Sequence, residues 1–140
     1  MLLGNYFHNI KKNYKNFSFS GISFDTKNIK KNHIFFAIKG NSVDGNKFIS
    51  TAIKKGSKII VTEKKFKQLQ NGILYIHTKN VRKLLSETSF KIYNKKPKNL
   101  IAVTGTNGKS SVTDFYYQIL KLNNKKVASI GTLGVKSKNI

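Results

Sequence analysis

Apolar positions along this chain follow two rhythms that alternate. Short runs rich in β-branched and aromatic side chains occur at Ile22-Ser23-Phe24, Ile34-Phe35-Phe36-Ala37-Ile38, Lys58-Ile59-Ile60-Val61-Thr62 and Ile73-Leu74-Tyr75-Ile76. Each has the length and composition of a buried strand. Between the second and third, residues 46–55 repeat at helical spacing, with Phe48, Ile49, Ala52 and Ile53 inward, and stop at Gly56, a common helix terminator. Residues 81–93 predict a second helix with Val81, Leu84, Leu85, Thr88 and Ile92 on one face. At the start, Leu3, Phe7 and Ile10 share a helical face. Strands alternating with helices indicate an α/β domain around a parallel sheet.

Asn94-Lys95-Lys96-Pro97-Lys98 interrupts this pattern. Proline and the residue before it disfavour helix, which makes residues 95–98 the expected linker between a domain at 1–94 and a second segment at 99–140. The second segment predicts a strand (Leu100-Ile101-Ala102-Val103), a glycine-rich turn and a helix with Val112, Phe115, Tyr116, Ile119 and Leu120 apolar. A further strand is expected at Lys126–Ile130. This is a single strand–helix–strand unit, and a parallel sheet needs more strands and cover on both faces. The expected architecture is therefore a small N-terminal α/β domain followed by the first βαβ unit of an incomplete parallel-sheet domain, in a chain that is a fragment of a longer protein.

The formal charge of +22 raises nucleic acid as a partner. Yet 26 of the 27 cationic residues are lysine, Arg82 is the only arginine, and the lysines are spread along the chain. Arginine is the usual residue for bidentate base and phosphate recognition. The abundance of lysine, asparagine and isoleucine together reads as coding bias, so no dedicated nucleic-acid role is expected. The absence of cysteine removes disulfides, thiol nucleophiles and Cys-zinc sites. No apolar run has the length of a membrane span, and the first residues lack a secretory layout. The expectation is a soluble, cytoplasmic monomer.

The chemistry concentrates at Ile101–Ser111, which reads I-A-V-T-G-T-N-G-K-S-S. A strand delivers a turn in which Gly105 and Gly108 let successive amides converge on an anion. Lys109 is placed to reach outer phosphates, and Ser110 to offer a hydroxyl to magnesium. The following helix aims its positive end at the same point. The plain phosphate-loop pattern would need glycine at position 103, where this chain has Val103. His8, His33 and His77 show no metal spacing. The five acids Asp25, Asp44, Glu63, Glu87 and Asp114 form no pair suited to acid–base work.

Thr104-Gly105-Thr106-Asn107-Gly108-Lys109-Ser110-Ser111 resembles the T-G-T-N-G-K-[ST]-[ST] nucleotide loop of the Mur ligases, ATP-dependent amide-forming enzymes of peptidoglycan synthesis. Separate segments agree. Asp25-Thr26-Lys27 looks like the family's Asp-Ser-Arg, and Ile34–Gly40 like its L-F-V-A-[LI]-x-G strand. Asn41-Ser42-Val43-Asp44-Gly45 continues the match, as do Phe48-Ile49, Ala52-Ile53 and Gly56–Glu63. Within the family, Asn107, Asn80-Val81-Arg82-Lys83 and Ile130–Gly134 are most similar to the member that extends UDP-N-acetylmuramoyl-L-alanyl-D-glutamate. The D-alanyl-D-alanine-adding member shares some of these features but usually reads T-G-S-x-G-K-T.

The resemblance implies that ATP and magnesium are used. Gly105, Thr106, Asn107, Gly108, Lys109, Ser110 and Ser111 would hold ATP, with Lys109 catalytic and Ser110 on the metal. It implies a UDP-N-acetylmuramoyl-dipeptide substrate whose UDP moiety meets Phe24, Thr26, Asn41, Ser42 and Val43. The implied reaction adds meso-diaminopimelate or L-lysine through an acyl phosphate, serving cell-wall biogenesis, cell shape and division. Alternatives are another Mur ligase or a non-catalytic UDP-sugar-binding module. Lys27 gives up the bidentate fork of the family's arginine, while Thr26 and Ser110 keep the hydroxyls of the residues they replace. The family's metal-holding carbamylated lysine and its amino-acid-selecting domain fall beyond Ile140, so these 140 residues alone are expected not to turn over.

Overall fold

In the computed structural model, which describes residues 1–8 and 10–137, the chain divides into two units, Met1–Lys96 and Pro97–Ile140. The first is built on five strands: β1 (Gly21–Ser23), β2 (His33–Phe36), β3 (Ile59–Thr62), β4 (Leu69–Gln70) and β5 (Ile73–His77). Their order is β1-β2-β3-β5-β4, parallel throughout except for the β4–β5 pair. The registers set Ile34 beside Ile59 and Ile59 beside Leu74.

Side chains alternate across the sheet with period two. Ile34, Phe36, Ile59, Val61 and Leu74 enter one cluster, closed by Leu3, Phe7 and Ile10 from the N-terminal segment and by Val81. Leu84, Leu85 and Ile92 pack against the same cluster from helix α2 (Val81–Ile92). Phe35, Ala37 and Ile60 enter the other, covered by Ile49 and Ala52 of helix α1 (Ile49–Lys54). Cover on both faces is what a parallel sheet requires.

Three expectations for this unit change. The N-terminal segment is two 3-10 turns, Leu3–Asn5 and Lys12–Tyr14, rather than a helix. Leu3 N–H donates to Phe17 O, Gly4 N–H to Lys15 O and Phe19 N–H to Met1 O, so long-range pairing takes the amides a helix would use. Leu3, Phe7 and Ile10 are buried as expected, in a different backbone. The helix expected at 46–55 opens as a 3-10 turn, Gly45–Phe48, which rotates Phe48 outward to 40% exposure. Strand β4 was not anticipated. It joins β5 through Asn71-Gly72, both at positive φ, the turn chemistry that a two-residue hairpin demands.

In the second unit, helix α3 (Lys109–Leu122) packs on an antiparallel hairpin of β6 (Ala128–Gly131) and β7 (Gly134–Ser137). The strand expected at 126–130 thus runs at 128–131 and is paired with a hairpin partner rather than in a parallel sheet. Leu100–Val103 forms no strand, and Leu100 is 88% exposed. A strand exists only through its ladder bonds, and no neighbour runs beside this segment among the described residues of its unit. Among the described residues no helix is long and apolar enough to cross a membrane.

The division carries an expected result. Limited trypsin digestion should cut after Lys95 or Lys98, the Lys96–Pro97 bond being resistant to trypsin, and leave the N-terminal unit as a resistant piece, because that unit holds both apolar clusters. Equal protection on either side of Pro97 would show that the boundary lies elsewhere.

Candidate functional site

The first unit opens a cleft outside the carboxyl ends of β1 and β2, where ligands of open α/β sheets bind. At the end of β1 the buried Ser23 hydroxyl donates to Asp25 O (2.7 Å) and accepts from Asp25 N–H (3.1 Å). The Asp25 carboxylate accepts from Lys27 N–H at 2.8 Å, capping the 3-10 turn Thr26–Asn28. Asp25 is therefore occupied in shaping the turn. Thr26 is half-buried and its carbonyl accepts from Lys55 Nζ at 2.7 Å. Phe24 is turned out to 64% exposure.

Beyond β2 the chain makes a small closed loop. Lys39 and Asp44 form an antiparallel bridge, Gly40 N–H donates to Val43 O (2.9 Å), and Gly45 N–H donates to Ile38 O (2.9 Å). Asn41 and Ser42 form its exposed tip. The Asp44 carboxylate accepts from the backbone and the side-chain amide of Asn46, at 2.9 and 2.7 Å. Those bonds, with Lys64 and Lys39 nearby, hold its carboxyl below the usual carboxylate range. Asn46 Oδ1 in turn accepts from Thr62 Oγ1 at 2.6 Å, tying the loop to β3. The Asp-Gly pair thus builds the loop.

The cleft has a volume of about 850 Å³. Phe24, Gly40, Val43 and Phe48 line one wall. The other is α2, through Arg82, Ser86 and Ser89, a stripe at i, i+4 and i+7 that marks one helix face, extended by Tyr93 at the helix's C-cap. Of the residues anticipated for this site, Phe24 and Val43 line the cleft, while Thr26, Asn41 and Ser42 lie on the loops beside it. Sequence reasoning missed the α2 wall. Its signal was present as a second stripe on a helix whose opposite stripe is core.

In the second unit the loop Gly105–Gly108 leads into α3. Gly105 and Gly108 take φ of +143° and +75°, and Gly108 forms the N-cap in the left-handed region that side chains with Cβ avoid. Val112 N–H donates to Gly108 O, so the amides of Lys109, Ser110 and Ser111 precede the first intrahelical bond. Lys109 Nζ donates back to Gly105 O and to Thr106 O, the latter at 2.9 Å. Ser110 Oγ lies 2.9 Å from Thr132 Oγ1. Lys109, Ser110, Thr132 and Val103 line a smaller cavity of about 210 Å³, while Gly105 to Gly108 and Ser111 stand open to solvent. Asp114 sits in the same cavity, where the Lys136 ammonium and then the Gln118 amide hold its carboxyl below the usual range. That ion pair joins α3 to β7 and leaves Asp114 no evident acid–base task.

Comparison with known proteins agrees with both halves. Residues 18–96 match the Mur ligase family catalytic domain, and residues 103–140 match the Mur ligase middle domain. The chain is 45% identical over 129 residues to the UDP-N-acetylmuramoyl-L-alanyl-D-glutamate--2,6-diaminopimelate ligase of Rickettsia montanensis. It is 44% identical over 116 residues to the protein of the same name from Clostridium tetani. These matches cover 92% and 80% of this chain but only 26% and 24% of those relatives, so the chain spans about a quarter of their length. A solved structure of a ligase of that name aligns over 100% of this chain and 29% of its own at a TM-score of 0.73 and 21% identity, a likeness of fold. The MurF ligase of Thermotoga maritima in complex with ADP aligns over 75% of this chain and 23% of its own, with a TM-score of 0.58 and 25% identity.

Proposed function

Because the chain belongs to the Mur ligase family, we propose that its protein is the ATP-dependent ligase that adds diaminopimelate, or lysine in its place, to UDP-N-acetylmuramoyl-L-alanyl-D-glutamate. The observation that carries this reading is the loop Gly105–Ser111 opening α3, with its glycines at positive φ and its leading amides ahead of the first helical bond. The ADP in the Thermotoga structure supports an adenine nucleotide as its ligand.

The residues fit a triphosphate and magnesium. Convergent amides at a helix N-terminus stabilise phosphate oxygens. Lys109 already turns its ammonium across the loop onto Gly105 O and Thr106 O, the place an outer phosphate would take. Among the described residues no group of three or more His, Cys, Asp or Glu is placed to hold a metal. Magnesium at a nucleotide keeps several waters and is held largely by substrate phosphates, with few protein oxygens. Ser110 Oγ, kept in place by Thr132, is the oxygen this chain would offer. ATP, when bound, supplies the phosphoryl group that activates the substrate carboxylate. The chain's own part is electrostatic: Lys109, the amides of Gly108 to Ser111, and Thr106 and Asn107 in the loop offset the charge that grows on phosphate oxygens. Phe24, Thr26, Asn41, Ser42 and Val43 hold the uridine nucleotide in the first unit. The basic charge serves no dedicated nucleic-acid role.

The test is calorimetric titration of the 140-residue chain with magnesium ADP at 150 mM salt. Lys109→Ala should weaken binding at least tenfold, as loss of a charge-assisted phosphate contact does. Lys83→Ala, which removes an equal charge from an exposed site on α2, should not. Equal affinity of Lys109→Ala and the parent would overturn the assignment. Phosphate release by these 140 residues, given ATP, the UDP-muramoyl dipeptide and diaminopimelate, should stay at background, since the chain spans about a quarter of its relatives' length and much of such a reaction's acceleration comes from positioning both reactants. Turnover abolished by Lys109→Ala would show that the amine site lies within them.

A further inference from the structure

Lysine supplies every cationic side chain but one, even at Lys27 where the family pattern has arginine. The exception, Arg82, lines the cleft of the first unit. Its place is unfavourable for a merely structural cation. It stands in the first turn of α2, which holds no acid, and a positive charge there opposes the helix dipole. Glu63 does accept from Val81 N–H at 3.3 Å, but it is not among the residues that line the cleft. The guanidinium has five N–H donors, and a long contact of 3.5 Å from Nη2 to Lys39 O engages one of them. Lys39 begins the loop that carries Asn41, Ser42 and Val43, so Arg82 stands beside that loop.

The rest of the α2 stripe points to the same kind of ligand. Tyr93 is 61% exposed at its far end and Phe90 62% exposed beside it, facing a cleft that Phe24 also enters. The Lys96 ammonium lies 3.0 Å over the Phe90 ring, adding a second cation near the rim. From Arg82 to Tyr93 the helix advances about 16 Å, room for a nucleoside diphosphate that bears a sugar. A cation at one end and exposed aromatic surface at the other are complementary to such a molecule.

We propose that α2 is the second wall of the uridine-nucleotide site, in which Arg82 grips the diphosphate through its planar fork and Tyr93 packs against the ligand's ring surface. This rests on the reading of the first unit as that site. It adds residues which the loop motifs do not contain, and it accounts for arginine where lysine is otherwise used, since only the guanidinium can bind two phosphate oxygens at once.

The test titrates UDP, uridine and ADP into the 140-residue chain and its variants at 150 mM salt, with circular dichroism confirming the fold of each. Arg82→Ala and Arg82→Lys should each weaken UDP at least tenfold and change uridine less than twofold, while Tyr93→Ala weakens both. Arg82→Lys keeps charge and helix propensity, which separates loss of the fork from loss of fold. UDP binding unchanged in both Arg82 variants, while Thr26→Val weakens it, would overturn the role of Arg82 and leave the site standing. Equal losses for UDP and uridine would also overturn it, showing that Arg82 acts only by holding the loop at Lys39. No preference of the parent chain for UDP over ADP would remove the site itself, and this inference with it.

Discussion

Phe36→Ala should cost the first unit about 4 kcal/mol, near the middle of the range for deleting a buried phenyl ring. Phe36 is fully buried on β2, between β1 and β3, and faces the larger cluster with Ile34, Val61 and Leu3 around it. Neighbours held by a parallel ladder on both sides cannot collapse into the space, so a cavity penalty adds to the lost transfer energy. For a unit of this size the loss corresponds to a fall of roughly 20 °C in melting temperature. Thermal unfolding followed by circular dichroism reads it directly. Phe24→Ala, which removes the same ring from a position 64% exposed, should stay within about 0.5 kcal/mol of the parent. Comparable losses at the two positions would mean that the sheet does not bury Phe36 as described.

Gly45→Ala should cost about 3 kcal/mol, by forcing backbone apart rather than by emptying a core. A Cβ at Gly45 would lie 2.5 Å from Ile38 O and 2.7 Å from Ile38 N. Both are main-chain atoms, and Gly45 N–H already donates to that same Ile38 O. No side-chain rotation relieves such a clash. The loop closure at Ile38 must open, carrying with it the turn that presents Asn41 and Ser42 and the wall formed by Val43. Stability and UDP affinity should therefore fall together. Gly72→Ala is the contrast, because Gly72 has a φ of +75° but nothing within 4 Å of an added Cβ. It should lose only about 1 kcal/mol, the cost of the left-handed conformation alone. A Gly45→Ala protein that melts and binds like the parent would show that the loop does not close against Ile38.

How far these features could be read in advance depends on the range of the interactions that make them. The buried strands at β2, β3 and β5 and the helix α2 announce themselves because their periodicity is their burial pattern. The N-terminal segment shows the limit of that logic. Its spacing of Leu3, Phe7 and Ile10 selects the buried side chains but not the backbone, which is set by pairing with residues 15–19. Strand β4 has too few residues for periodicity to act on. Its one local mark was the Asn71-Gly72 turn.

The loop Gly105–Ser111 is the opposite case. Its shape comes from local backbone geometry, with Gly105 and Gly108 at positive φ, so the order of residues nearly specifies it, and with the first-domain motifs it identified the family and the α/β class. What the chain order could not specify was anything that needs two distant segments to meet. Leu100–Val103 has strand composition, but a strand is a relation between neighbours, and no ladder forms there among the described residues. Arg82 and Tyr93 are ordinary residues of an amphipathic helix until the sheet places α2 beside the loops after β1 and β2. Only then does a polar stripe become the wall of a cleft. Local chemistry is written in sequence because covalent neighbours carry it, whereas a cleft is made by packing, which depends on every element that the core brings together.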